Sequence, residues 1–292
     1  MSGPTRSGWK AWRNVPAAER LAREQALEPL SESGFVVTSR ELSRDGPWRI
    51  EIFGHGDRQT VEAAIDGDWR WEDLPDIDWV AENQRSFKPF AVGPFWVHPS
   101  HVTDAKPAGL LPLKIDAGLA FGTGTHATTR GCLEMLAGLD PAETNNSVDI
   151  GCGSGILAIA MAKLWQRPVL GGDNDADAVE VARENAELNG VAALCRFHHA
   201  IGLRAAALAD SAPYDLIVAN ILAGPLVELS ESFASALRPR GRALLSGLLI
   251  EQADPILDAY AQRGFTLERH LDLETNDSQW RTLLLRRTAD RG

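Results

Sequence analysis

The seven residues Asp149-Ile150-Gly151-Cys152-Gly153-Ser154-Gly155 constrain what this chain can fold into more than any other stretch. The apolar, strand-like Val148-Asp149-Ile150 leads into them, and an Ala-rich run from Ile156 to Leu164 with helical character leads out. Three glycines at alternate positions let the backbone turn sharply and approach a ligand closely, because no Cβ intrudes. The helix that follows starts with N–H groups lacking intrahelical partners and with the positive end of its dipole, which suits an anionic group placed there. Strand, glycine-rich turn and helix in that order open a doubly wound α/β sheet.

The turn alone does not select a ligand. Dinucleotide-binding folds space their glycines G-x-G-x-x-G, whereas this chain has G-x-G-x-G with Ile156 at the position of a third glycine. Asp173, 22 residues after Gly151, ends the next predicted strand, Val169 to Gly172. An acidic side chain there accepts hydrogen bonds from ribose hydroxyls, so turn and acid together imply an adenosine-containing cofactor. Two further segments favour S-adenosyl-L-methionine over a nicotinamide dinucleotide. Gly118 to His126 runs into a predicted helix start at Thr128 and Thr129, upstream of the first sheet strand, where a dinucleotide-binding domain has no counterpart. Downstream, the predicted strand Asp215 to Ala219 ends in Asn220-Ile221-Leu222-Ala223. That places a carboxamide at the carboxyl edge of the sheet, where the segment resembles the Asn-Pro-Pro-Tyr-type stretch of amine-directed methyltransferases, a likeness implying that its oxygen can orient an amine nucleophile towards a methyl donor.

Around this centre the pattern alternates strand and helix: Asp175 to Asn189 as helix, Leu226 to Leu237 as helix, Arg242 to Ser246 as strand and Glu251 to Arg263 as helix. Phe265 to Asp272 and Trp280 to Leu285 follow as two strands joined only by a loop, an antiparallel pair at the sheet edge. This predicts a class I methyltransferase fold, a Rossmann-like α/β architecture with a seven-stranded doubly wound sheet. The N-terminal region reads differently. Gly8 to Trp12, a helix opened by Pro16, Phe35 to Thr38, Trp48 to Ile52, a helix from Arg58 to Ile65 and Trp69 to Trp71 give the order β-α-β-β-α-β of a ferredoxin-like α+β domain. The expected organisation is a ferredoxin-like substrate-recognition domain over 1–75, a linker helix within 76–90 and the methyltransferase domain over 91–292.

Composition removes several function classes. With 40 acidic against 29 basic residues the formal charge is −11, which disfavours a bare nucleic-acid binder and suits a basic protein partner. Seven acidic residues fall between Asp66 and Glu82 against Arg70 alone; a solvated face is the simpler account and a docking patch for a Lys-rich partner the sharper one. No apolar run is long enough to span a bilayer and no secretory leader is evident, so a cytoplasmic protein is expected, of a size and polarity that set no oligomeric state. Cys132, Cys152 and Cys195 lack metal or disulfide spacing. His98-Pro-Ser-His101 and His198-His199 have no accompanying Cys or carboxylate cluster, so they read as surface or loop histidines and no metal site is expected. His126, at a loop-to-helix junction, is better suited to capping than to acting as a base, and seven of the nine Trp cluster between Trp9 and Trp96, read mainly as core.

Taken together, Ala117 to Thr129, Asp149 to Ala160, Asn220 to Pro225 and Ser246-Gly247 resemble the PrmA family, the methyltransferases of the eleventh protein of the bacterial large ribosomal subunit. The resemblance covers about Ile115 to Arg286, with Ala127 where many members have proline and Asn174 where a small apolar residue is commoner. It implies cofactor contacts at Thr129, Gly151, Gly153, Asp173 and Asn220, with Asn220 also catalytic. The implied substrates are lysine ε-amines and the N-terminal α-amine of a basic ribosomal protein, with no direct nucleic acid and no membrane required. A lysine methyltransferase acting on another protein, such as an electron-transfer flavoprotein subunit, is the competing expectation. A nicotinamide-dependent dehydrogenase fails on the missing glycine and on the lack of a second βαβαβ half after Gly247.

Overall fold

The computed structural model describes residues 8–32, 35–42, 46–55, 58–74, 88–102, 107–116, 126–275 and 278–288. The chain forms two compact units, Met1–Trp79 and Val80–Gly292. The expected linker helix over Asp78 to Ser86 and the segment Ala117 to Thr125 lie outside the described residues.

In the first unit, β1 (Gly8–Val15), α1 (Arg20–Glu32), β2 (Val36–Glu41), β3 (Trp48–His55), α2 (Gln59–Ala64) and β4 (Arg70–Asp73) follow one another. The sheet order is β2-β3-β1-β4 with every pair antiparallel, which is the ferredoxin-like topology. Strand alternation sends Trp9, Ala11 and Val15 of β1 and Ile50 and Ile52 of β3 into one core with Leu27, Leu30 and Val61 of the helices. Not every tryptophan goes there. Trp12 points to the opposite sheet face, stacked by Arg49 at 3.9 Å and Arg70 at 4.9 Å. The described part of the acidic run is largely paired: Asp66 with Arg23, Glu72 with Lys10 and Asp73 with Arg58.

The second unit begins with a small sheet of β5 (Phe90–Val92), β6 (Phe95–His98) and β7 (Leu111–Lys114). His98 departs from the sequence reading. It is buried at the end of β6, its ring stacked on Trp96 with centroids 4.0 Å apart and its Nδ1 2.9 Å from the Pro99 carbonyl oxygen. Then come α3 (Ala127–Ala137), β8 (Ser147–Ile150), α4 (Ile156–Trp165), β9 (Val169–Asp173), α5 (Ala176–Leu188) and β10 (Cys195–His199). The short α6 (Ala206–Ala209), β11 (Tyr214–Asn220), α7 (Ala223–Glu228), α8 (Ser230–Ala236), β12 (Leu237–Leu249), α9 (Ala253–Ala261), β13 (Phe265–Thr275) and β14 (Ser278–Arg287) complete it.

The central sheet runs β10-β9-β8-β11-β12-β14-β13, parallel from β10 to β12, with β14 antiparallel to both its neighbours. β11 is buried along its length apart from Asn220 at its end, as a strand covered on both faces must be. One core, against one face, contains residues of α3, α4 and α5; the other contains residues of α7, α8 and α9. Successive strands step outward from β8 to β9 to β10 on one side and from β11 to β12 on the other. The reversal therefore lies between β8 and β11, and a crevice outside the carboxyl ends of these strands is where such a sheet binds ligands.

Candidate active site

The crevice is a cavity of about 520 Å³ at that reversal, in the size range that buries a cofactor. Thr129, Gly151, Gly153, Asp173 and Asn220 all line it.

The turn after β8 explains its own sequence. Gly151, Gly153 and Gly155 have φ of +73°, +50° and +78°, a region that costs an L side chain strain. A Cβ on Gly151 would stand 2.2 Å from Ile221 Cγ2, and one on Gly155 would stand 2.9 Å from Ala182 Cβ. The turn is pinned to the end of β9: Gly151 and Cys152 N–H donate to the Gly172 carbonyl oxygen at 2.8 and 3.1 Å. Asp173 joins this framework, accepting from Gly153 N–H at 2.8 Å through Oδ2 and from Asp175 N–H at 3.0 Å through Oδ1. Each carboxylate oxygen retains a further lone pair for a hydroxyl partner. Gly155 caps α4 without a side-chain acceptor, and the fully buried Asp149 Oδ2 takes the Ala158 N–H at 3.1 Å instead. Burial, more than proximity to Asp173, pushes the Asp149 carboxyl up to about 7.

The other wall is built by α3. His126 is its N-cap, with Nδ1 2.9 Å from Thr128 Oγ1 and accepting from Thr128 N–H at 3.4 Å, so its capping role follows the sequence reading. Burial lowers its pKa, which keeps the ring neutral at neutral pH. Ala127 occupies the first helical position, the one where proline is best tolerated. Gly131 lets the helix lie close on β14, since a Cβ there would be 2.3 Å from Thr282 Oγ1. Ser246 Oγ ties the same corner together, 2.9 Å from Thr282 Oγ1 and donating to the Thr128 carbonyl oxygen at 3.3 Å. The result sets the buried Thr129 hydroxyl to accept from Asn220 Nδ2 at 3.2 Å. That bond fixes the carboxamide with its Oδ1 buried and without a hydrogen-bond partner among the described residues. A partnerless buried acceptor costs stability and points to a donor brought by a ligand.

Further residues line the cavity, of which Trp280 carries no signal in the sequence. Trp280, near the start of β14, lines the cavity and meets His126 edge to face at 4.6 Å. Ile221 and Leu222 form its rim after β11, and Gly247, at φ +88°, passes so close that a Cβ would be 2.2 Å from the Ile221 carbonyl oxygen. Cys152 also lines it, but burial raises its thiol pKa, so it packs as a small apolar group. Among the described residues no three His, Cys, Asp or Glu side chains group as metal ligands, and no helix is long and apolar enough to cross a membrane.

The model of the family described as "Ribosomal protein L11 methyltransferase (PrmA)" matches residues 55–288. The chain belongs to this family. A relative from Brucella abortus (strain S19) named ribosomal protein L11 methyltransferase is 42% identical over 258 residues, 86% of this chain and 90% of that protein. One of the same name from Chelativorans sp. (strain BNC1) is 40% identical over 284 residues, 94% of this chain and 96% of that one. The crystal structure of a ribosomal protein L11 methylase from Lactobacillus delbrueckii subsp. bulgaricus superposes with a TM-score of 0.60 at 29% identity, covering 69% of this chain and all of that one. As a PrmA-family member the chain is an S-adenosylmethionine-dependent methyltransferase. The flavoprotein-directed alternative finds no support among these relatives.

Proposed function

We propose that this chain methylates the ribosomal protein L11, at lysine ε-amines and at the N-terminal α-amine. The observation that carries the chemistry is Asn220 Oδ1, buried beside the glycine turn without a partner among the described residues; the names of the relatives supply the target. A basic ribosomal protein also suits a chain with a net charge of −11.

The residues present fit the cofactor. Asp173 is placed to accept ribose hydroxyls, the Gly151–Gly153 turn to lie against the ligand without side-chain interference, and Thr129 to hold Asn220 in register. Bound S-adenosylmethionine supplies an electrophilic methyl group on a sulfonium. The protein's part is to bind, orient and exclude water. Asn220 Oδ1 accepts an N–H of the incoming amine and so directs its lone pair. That lone pair requires the neutral amine, although a free lysine has a pKa near ~10.4. The wall carries no acidic side chain among the described residues beyond Asp173, and His126 is held neutral, so away from Asp173 no carboxylate keeps the amine protonated and loss of its proton to water is favoured.

The test uses the purified chain with S-adenosylmethionine and unmethylated L11. Mass spectrometry is expected to show methyl groups on lysines and on the N-terminus, and calorimetry to show binding of S-adenosylmethionine but not of NAD. Asn220→Ala should slow turnover about 100-fold, the scale of a misoriented reactant, with a much smaller change in cofactor affinity. Normal turnover in that variant would remove Asn220 from the mechanism; methyl groups absent from L11 despite cofactor binding would remove the target.

A further inference from the structure

The cavity crosses five neighbouring strands in sheet order: Asp173 on β9, the turn after β8, Asn220 on β11, Gly247 on β12 and Trp280 on β14. Four strand spacings make this a span of roughly 19 Å. With the adenosine at Asp173 and the glycine turn, as in the proposed function on which this inference rests, the far end receives the acceptor amine. Its walls there are Asn220, Trp280 and His126.

Trp280 is held at that end by the packing of its own strand. It shares a sheet face with Thr282, two residues on, and Thr282 is the residue on which Gly131 lets α3 settle. The first residue of that packing, His126, therefore abuts the indole, with ring planes at 74°. We propose that Trp280 is a specificity-determining residue that holds the methylated ammonium, so that further methyl groups are added to the same nitrogen.

Donors and acceptors have to match at every round of transfer. Each round forms an N–C bond as an S–C bond breaks, with the S–C electron pair remaining on sulfur. The alkylated ammonium must then lose a proton to water before the next round. Each methyl removes one N–H, so Asn220 Oδ1 has less to accept at every step, and a trimethylammonium offers it nothing. An aromatic face attracts a methylated cation without needing an N–H. Burial keeps His126 neutral, so it backs the indole without repelling the product. Along the series from lysine to trimethyllysine, the contribution of Asn220 falls and that of Trp280 rises.

The experiment titrates the full chain, saturated with S-adenosylhomocysteine, with free lysine and with Nε-trimethyllysine, and needs no ribosomal protein. Trp280→Leu should weaken trimethyllysine about tenfold, the scale of a desolvated cation–π contact, and lysine less than about twofold, while Trp280→Phe should stay near wild type. Circular dichroism of each variant separates this from misfolding. On the ribosomal protein, Trp280→Leu should accumulate singly methylated lysines where the wild type goes further. Equal weakening of both amino acids, or an unchanged count of methyl groups per lysine, would overturn the proposal. If the wild type leaves L11 unmethylated, the target assignment fails, while the amino-acid titration still decides the role of Trp280.

Discussion

At the edge of the central sheet where β11 and β12 begin, Arg242 donates to Glu268 through Nε at 2.7 Å and Nη2 at 3.0 Å, and to Glu143 through Nη1. Asp215, beside it, accepts from the Asn145 and Asn146 N–H groups at 2.7 and 3.0 Å and meets Arg238 Nε at 2.8 Å. At the opposite edge, where the same strands end, Asn220 Oδ1 and Asp149 Oδ1 are buried without partners among the described residues, and four glycines hold left-handed backbone. Both edges border the same apolar layers. The difference shows where the molecule is finished and where it needs a ligand. One edge pairs its charged side chains with each other, leaving only Arg238 Nε and Arg286 Nε without a hydrogen bond among the described residues, although both guanidinium groups sit in ion pairs. The other has no opposite charge to offer and holds its acceptors in strained backbone. Substitutions at the first should change stability and leave chemistry alone; substitutions at the second should change ligand binding or turnover, or how stability depends on pH.

The largest effect is expected at Gly247. Alanine there would need φ near +88° and would drive its Cβ to 2.2 Å from the Ile221 carbonyl oxygen, so Ile221 and Leu222 must shift into the cavity. S-adenosylmethionine affinity should fall about 100-fold or more, equivalent to at least about 2.7 kcal/mol, by calorimetry. Wild-type affinity in Gly247→Ala would mean that the ligand does not lie under this strand.

Arg242→Met tests the closed edge. Removing the cation leaves Glu268 and Glu143 with only the longer contacts to Arg286, at 3.9 and 3.7 Å, and Arg242 is the main reason that the Glu268 pKa lies below the usual carboxylate range. The two glutamates remain in reach of water, which limits the loss to about 2 kcal/mol, below that of a fully buried pair. Urea denaturation should show this, with kcat unchanged at temperatures where the variant stays folded. A fall in kcat without loss of stability would break the division between the two edges.

The same division accounts for what could be read in the sequence. Features set by local chemistry were legible: the alternate glycines, because only they tolerate positive φ; Asp173, because strand length fixes its distance from the turn; His126, because a helix start needs a cap; the ferredoxin-like order, because its strands alternate regularly. Features made by packing were not. Trp280 sits in a polar stretch, Ser278-Gln279-Trp280-Arg281, and becomes a cavity wall only because Gly131 brings α3 against β14. His98 looked like a surface histidine because nothing in its neighbours announces that β6 is buried throughout. The edge strand β10 was hidden by His198-His199, which read as loop although Cys195 and Phe197 alternate inward. Trp12 was grouped with the core tryptophans, yet strand parity turns it away, since it pairs with Arg70 while Ala11 pairs with the half-buried Trp71.

The smallest effect is read as a slope. Asp149 is fully buried with one oxygen capping α4 and the other without a partner among the described residues, and desolvation raises its pKa to about 7 in the folded chain against about 3.9 unfolded. Between these values the folded state keeps a proton that the unfolded state has lost. Rising pH through that window therefore favours unfolding: the contribution of this group is fully present below about pH 4 and is lost as pH passes about 7, at no more than ~1.4 kcal/mol per pH unit for one proton. Asp149→Asn keeps an oxygen for the Ala158 N–H and carries no charge, so its stability should fall less steeply than that of the wild type across the window. Thermal melts of the two cofactor-free proteins from pH 4 to pH 8 measure the difference. Parallel curves would mean that Asp149 stays ionised, and that its second oxygen is supplied with a partner from outside the edge described here.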